Sequence, residues 1–378
     1  MEFEAAVRED SSNWTPPGKV VASYDTKDGV FELWKGSLAD LAVQQLVSRI
    51  QIMVTLFIEG GTPIDLEEPD KGRWTVFFLY RKQPVHGTTD QFSYMFAGYC
   101  TVYRFFLYQP PTPPGTPSDT TAPAVKDDLD LGDGNFDLST LPCRSRISQF
   151  IIIPSFQGKG HGPKFYSLIY QDYLKHPQTV EITVEDPNEA FDDLRDISDL
   201  AFLRTDPEFT ALRLNTDLTL PGNGIVPRNL VDPEASEALR RKVKMAPRQF
   251  ARVLEMHLMS TLPDSVRPGI SPEQSASGKV TKEQEHEYTL WKLLVKKRIY
   301  RQNRDTLGQL DLPERIEKLE ETRGSVEFEY ARLLAMFETR QKQAAKQATT
   351  ADQPNLKRPL EDVGEGSGPS KKARVEDA

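Results

Sequence analysis

The sequence predicts an α+β protein: a mixed, splayed β-sheet flanked by helices, preceded by a short β region and followed by a helical domain. Three observations predict it. The β-branched run Ile147–Ile153 passes through Pro154 into the turn Gln157-Gly-Lys-Gly-His-Gly162, which opens a helical pattern and then a second strand. Upstream, apolar runs of strand length are separated by turn residues. Beyond Arg204 the apolar spacing changes to three and four, the period of amphipathic helices.

Taken in order, Val20–Tyr24 and Val30–Trp34 read as two strands around the turn residues Asp25–Gly29, and Leu38–Phe57 reads as one long helix with a break near Met53. Strands follow at Trp74–Tyr80 and Met95–Tyr108. Gln109–Pro142 is rich in Pro, Thr, Asp and Gly, so it is expected to be a mobile excursion between two strands of the sheet. After Ile147–Ile153, Pro154 removes a ladder donor, so the strand must end or splay there. Helix Lys164–His176 stops at Pro177, and strand Val180–Val184 ends in Glu185-Asp186-Pro187-Asn188. Helices are expected at Glu234–Lys244, Arg248–Ser260, Lys282–Asn303 and Pro313–Gln347. Ala348–Ala378 is too polar to bury a core, and its Lys357-Arg358 and Lys371-Lys-Ala-Arg374 clusters, twelve residues apart, have the form of a bipartite nuclear import signal.

Gly158, Gly160 and Gly162 let the backbone approach a ligand, Pro163 suits a first helical turn, and the unpaired amides there attract an anion. Glycines under phosphates also occur in dinucleotide-binding and P-loop folds. No acidic residue closes a second parallel strand in the dinucleotide arrangement, and no Lys-Ser or Lys-Thr follows the glycines. The strand, turn, helix and strand series resembles the coenzyme A site of the GNAT acyltransferase superfamily. Val184–Asp196, with Ile147-Ser-Gln149, Phe156-Gln-Gly158 and Gly160-His-Gly162, narrows the resemblance to the catalytic subunits of type B histone acetyltransferases. Leu56–Glu59, Ile64-Asp65, Arg73-Trp74, Leu79-Tyr80 and Thr101–Tyr103 are similar too, so the likeness runs from about Gly29 to Arg204 and more loosely beyond.

The resemblance implies a remnant of an N-terminal β domain at 1–35, a GNAT core at 36–205 with the insertion at 109–142, a helical domain at 206–347, and the tail at 348–378. The family carries a longer N-terminal domain than this chain shows, so histone-tail contacts from that part are expected to be fewer. Acetyl-CoA is the implied co-substrate, held by Phe150, Ile151, Ile152, Gln157, Gly158, Lys159, Gly160, His161, Gly162, Pro163 and Asn188, with no metal. Tyr103, Arg104 and Phe105 match the segment beside the substrate tail; residues alternate faces along a strand, so part of the trio should face the cleft. The implied substrate is newly made histone four with its histone-fold partner, and the implied partner is a WD-repeat histone chaperone. Cytoplasm and nucleus are the implied compartments.

Composition bounds the same reading. The chain has 378 residues, a net charge of −9 and a pI near 5.3, which argues against direct nucleic-acid binding and suits a basic partner, although acidity also simply keeps a protein soluble. Cys100 and Cys143 are the only cysteines, so no disulfide framework is expected and a reducing compartment is. The N-terminus is acidic, and no apolar run reaches the roughly 18 residues of a membrane span, so neither secretion nor membrane insertion is expected.

Acetyl transfer to lysine needs a neutral amine, and deprotonating lysine at pH 7 costs about 4–5 kcal/mol. Glu185 and Asp186 end the strand beside the coenzyme strand; Glu59 joins them only through the resemblance. Close like charges should raise a member of such a group towards the working range. Read from its residues alone, Glu185 serves equally well as a cap for the helix after Pro187; the resemblance makes it the general base. Asp186, held extended by Pro187, shares that role or orients the lysine. Asn188 is a cap or a coenzyme contact. A backbone amide near Phe150–Ile152 would meet charge on the thioester oxygen. His161 is assigned to the phosphate turn as a donor, and Cys100 to the core, since no His or Lys is near to lower its pKa. Two other readings stand beside this one: a histone-binding scaffold without turnover, and a GNAT enzyme acting on small amines, against which the helical C-terminal part and the import signal speak.

Overall fold

The computed structural model describes residues 14–85, 91–107, 138, 140–220, 226–270 and 280–351, with backbone only over 343–351. The import signal, nearly all of the 109–142 insertion and Tyr108 lie outside the described residues.

Strands β1 (Lys19–Thr26) and β2 (Gly29–Ser37) form a hairpin whose tight turn needs Gly29 at φ 119°. The helical stretch expected to break near Met53 is two helices, α1 (Leu41–Ile50) and α2 (Ile52–Phe57), parting at Gln51. Asp40 caps the first by accepting from the Ala42 N–H at 2.9 Å. Next come β3 (Trp74–Pro84), β4 (Phe92–Phe106) and β5 (Cys143–Ile152). A 3₁₀ turn, Pro154–Phe156, leads into α3 (His161–Lys175) and β6 (Thr179–Val184). β5 and β6 begin before the apolar runs that predict them, because Cys143–Arg146 and Thr179 still pair.

Six strands make one sheet in sequence order, antiparallel throughout except that β5 and β6 run parallel. A parallel pair requires a crossover, and α3 supplies it. On one face α1 and α2 bury Val43, Val47 and Val54 against Trp34, Val76, Phe78, Tyr80, Tyr99 and Ile151. On the other, α3 sets Phe165 against Phe150 and Tyr173 against Phe77, with ring centroids 5.0 and 5.9 Å apart. Both faces are thus covered where β5 ends.

The helices after β6 are α4 (Glu189–Leu203), α5 (Pro207–Ala211), α6 (Pro233–Lys242), α7 (Pro247–Thr261), α8 (Lys282–Gln302), α9 (Arg304–Gly308) and α10 (Leu312–Ala351). Two of them, α5 and α9, are too short to show a period in sequence. The chain divides into two units after Leu334. Within the first, buried charge pairs join the helices: Arg252 of α7 bonds Asp196 of α4 at 2.6 Å and Glu329 of α10 at 2.9 Å, and Arg298 bonds both oxygens of the buried Glu255. Removing one member of such a pair strands the other, which typically costs about 3–5 kcal/mol.

His257 of α7 is buried beside Phe209, and both of its ring nitrogens lack hydrogen-bond partners. Burial, and then Arg204 and Arg213, push its pKa down to about 4. The unfolded chain therefore takes up this proton near pH 6.5, while the folded chain resists until about 4, so stability falls as pH drops through that window. His257→Leu should flatten this part of the loss. Urea midpoints at pH 7 and pH 5 check it: the difference should be smaller in the variant, and an equal difference contradicts the assignment.

Candidate active site

β5 and β6 pair only as far as Ile147 and Val184, and the last link is the Glu185 N–H donating to the Ile147 carbonyl at 2.8 Å. Past that point β5 continues on β4 without β6 beside it, so the sheet opens. Pairing with β4 fixes which amides face the opening. Ile153 N–H donates to Ala97 O at 2.9 Å, and donors alternate sides along a strand, so the Ile151 amide faces β4 while those of Phe150 and Ile152 face away from it. Gln157 folds back and donates to the Ile152 carbonyl at 2.7 Å, which satisfies the acceptor on that opened edge.

The glycine turn closes one end of the opening. Gly158 and Gly160 sit at φ 72° and 85°, and a Cβ on either would meet nothing within 4 Å. Gly160 is the N-cap of α3, so this open space lies at the end of the helix whose first amides attract an anion. Gly162 differs: a Cβ there would stand 2.8 Å from Leu194 Cδ1, so its small size also lets α3 and α4 pack closely. Lys159 pairs with Asp28 of the β1–β2 turn at 3.5 Å. The His161 imidazole turns inward, 3.1 Å from the Tyr24 hydroxyl and against Phe31, and its Nε2 is buried without a partner. Burial lowers its pKa. Only its backbone N–H remains at the turn, so the expected side-chain donation to a ligand is not the arrangement found.

Glu185 stands at the other side of the opening, half-buried. Ser148 donates to its Oε2 at 2.6 Å, and Arg146 Nη1 lies 3.4 Å from Oε1. The helix cap is Asn188, whose side chain accepts from the Phe191 N–H at 2.9 Å, so Glu185 is free of that duty. Asp186 is not held extended: its φ is +33°, a left-handed conformation that Asp tolerates better than most residues. Its side chain is exposed, as is that of Glu59 after α2. The partners that hold Glu185 are a hydroxyl and a guanidinium rather than the carboxylates expected from the sequence.

The 103–105 trio divides between faces. Tyr103 donates to Asp70 at 2.6 Å and stacks edge-on with Phe105, while Arg146 lies 4.1 Å over the Phe105 ring. These residues continue from Glu185 along one face. Arg104 lies on the opposite face, donating to Gly72 O at 2.7 Å, in a cleft of ≈ 390 Å³ that Lys35 and His176 also line. Sequence reasoning missed Arg146 and Ser148. Both stand in the Arg146-Ile-Ser-Gln149 stretch, and the one signal available was alternation, which puts them on one face of β5.

The profile described as "Histone acetyl transferase HAT1 N-terminus" matches residues 1–59, and "Fungal HAT1, C-terminal" matches 212–263. Three proteins named histone acetyltransferase type B catalytic subunit are similar along essentially the whole chain. That of Neurospora crassa is 51% identical over 99% of this chain and 78% of its own length. Those of Gibberella zeae and Pyricularia oryzae are 48% and 49% identical, each over 100% of this chain and 78% of their own. Identity at this level over this coverage, on a sheet opened beside a glycine turn and a strand-end glutamate, places the chain in the family of histone acetyltransferase type B catalytic subunits.

Proposed function

We propose that this type B histone acetyltransferase transfers acetyl from acetyl-CoA directly to lysines of newly made histone four, before chromatin assembly, with Glu185 as general base. One observation carries the reading: the same opening in the sheet presents outward-facing amides on β5, the glycine turn and a carboxylate free of capping duty.

The residues present fit a pyrophosphate-bearing thioester. Gly158 and Gly160 leave room for phosphate oxygens near the amides of α3, and β5 offers an exposed edge for an amide-rich arm. The bound thioester would supply an electrophilic acyl carbon. The N–H of Phe150 or Ile152 then meets the charge that builds on the acyl oxygen. Glu185 accepts a proton from the lysine ammonium, which frees the nitrogen lone pair to attack the acyl carbon; as the new C–N bond is kept the C–S bond would break, and coenzyme A would leave as a thiolate that takes up the second proton lost by the nitrogen. Asp186 and Glu59 are exposed carboxylates suited to drawing in a basic tail, and Tyr103 and Phe105 offer it an aromatic wall on the Glu185 side. Histone four with its histone-fold partner, and a WD-repeat histone chaperone, are the partners this reading takes from the family resemblance.

The test is transfer of labelled acetyl from acetyl-CoA to three acceptors: histone four, its N-terminal peptide and spermidine. Label should enter the protein and the peptide and spare spermidine. Label on spermidine alone makes this a small-amine enzyme. Binding of histone four with no label transferred to any acceptor makes it a scaffold.

A further inference from the structure

We propose that Arg146 is a positioning and specificity residue, which fixes Glu185 in place and keeps the incoming lysine from settling beside it as an unreactive ammonium ion. The inference rests on the reading of Glu185 as base.

The geometry is a short relay of contacts. The Arg146 guanidinium lies 4.1 Å over the Phe105 ring of β4, and its Nη1 stands 3.4 Å from Glu185 Oε1. The Nε of Arg146 is buried with no hydrogen-bond partner, so the group is held by stacking and by its carboxylate. Neighbouring Arg144 is engaged with Glu181 at 2.8 Å and does not share the task. Ser148 holds the second oxygen of Glu185, so each oxygen has one fixed contact and retains a lone pair for a proton. The other charged group adjoining Glu185 along the chain is Asp186, which is exposed.

A lone carboxylate is a poor deprotonating site for an amine that arrives charged. It binds the ammonium form more tightly than the neutral one and so stabilises the state that cannot attack. A permanent counter-charge beside the carboxylate offsets that preference. Arginine suits the role because it stays protonated at every working pH and therefore cannot donate its own proton to the base. Its flat surface also lies on Phe105 in a way an ammonium cannot reproduce.

The test uses the full chain with Arg146→Gln, Arg146→Lys, Glu185→Gln and the double variant Arg146→Gln/Glu185→Gln. Single-turnover transfer to the histone-four N-terminal peptide is followed from pH 6 to 9, with peptide and acetyl-CoA affinities measured separately. Arg146→Gln should bind the peptide several-fold more tightly at the acid end, yet transfer about 10- to 100-fold more slowly, and its acid limb should move up by about one pH unit. Acetyl-CoA affinity should hold. Arg146→Lys should restore the position of the limb but only part of the rate. In the Glu185→Gln background, removing Arg146 should add little. A purely structural role would lower rate and peptide affinity together and leave the limb in place, and that result overturns the proposal. Near-normal transfer by Glu185→Gln alone would instead overturn the reading of Glu185 as base, so the two failures are distinguishable.

Discussion

Glu185→Gln should lower single-turnover acetyl transfer at neutral pH by about two to four orders of magnitude while leaving acetyl-CoA affinity nearly unchanged. The amide keeps the size of the side chain and can still accept from Ser148, which donates to Oε2 at 2.6 Å, so the opening should hold its shape. What it loses is the capacity to take a proton. The carboxylate lies across the opening from the glycine turn and is not aimed at a phosphate, so the coenzyme has no reason to sense the change. Rapid-quench transfer to the histone-four peptide, with coenzyme affinity by calorimetry, checks both halves. A parallel loss of coenzyme binding would mean that the side chain shapes the coenzyme path.

The second large effect is expected at Gly160. At φ 85° a valine is strained, and its side chain would enter space that is open to 4 Å, where pyrophosphate oxygens would approach the amides of α3. Gly160→Val should weaken acetyl-CoA binding by at least about 100-fold, equivalent to roughly 3 kcal/mol. Unfolding by urea should stay a single transition, since strain of this kind costs about 1–3 kcal/mol. Gly162→Val is a less clean probe, because the new side chain collides with Leu194 before it reaches a ligand. A folded Gly160→Val variant with unchanged coenzyme affinity would remove the turn from the site.

Much of this site was legible in the sequence because local chemistry enforced it. A proline after a β-branched run must end or splay a strand, and glycines before a helix need positive φ; both hold at Pro154 and at Gly158 and Gly160. The fold class was legible for the same reason, since the strand and helix periods are local. What the sequence hid is set by tertiary register. Arg146 and Ser148 meet Glu185 only because β5 and β6 pair in parallel with Arg146 opposite Thr183, a relation made by the crossover through α3. The inward turn of His161 depends on Tyr24 and Phe31, which arrive from the first hairpin. Alternation in β4 announced that the 103–105 trio divides, but only its pairing with β5 decides that Tyr103 and Phe105 share the Glu185 side while Arg104 faces away. The break in the first helical stretch was expected near Met53 and falls at Gln51, where neither proline nor glycine marks the residue.

The claim at the centre of this account is that Glu185 removes the proton from the substrate amine, and pH separates that role from every structural one. As pH rises towards the lysine pKa near 10.4, more amine is already neutral and a base matters less. The decisive measurement is the ratio of wild-type to Glu185→Gln single-turnover rates across pH, at saturating acetyl-CoA and histone-four peptide. The account predicts a large ratio at neutral pH that shrinks steadily towards alkaline pH. A ratio that stays constant over the whole range, or one near unity at neutral pH, contradicts it.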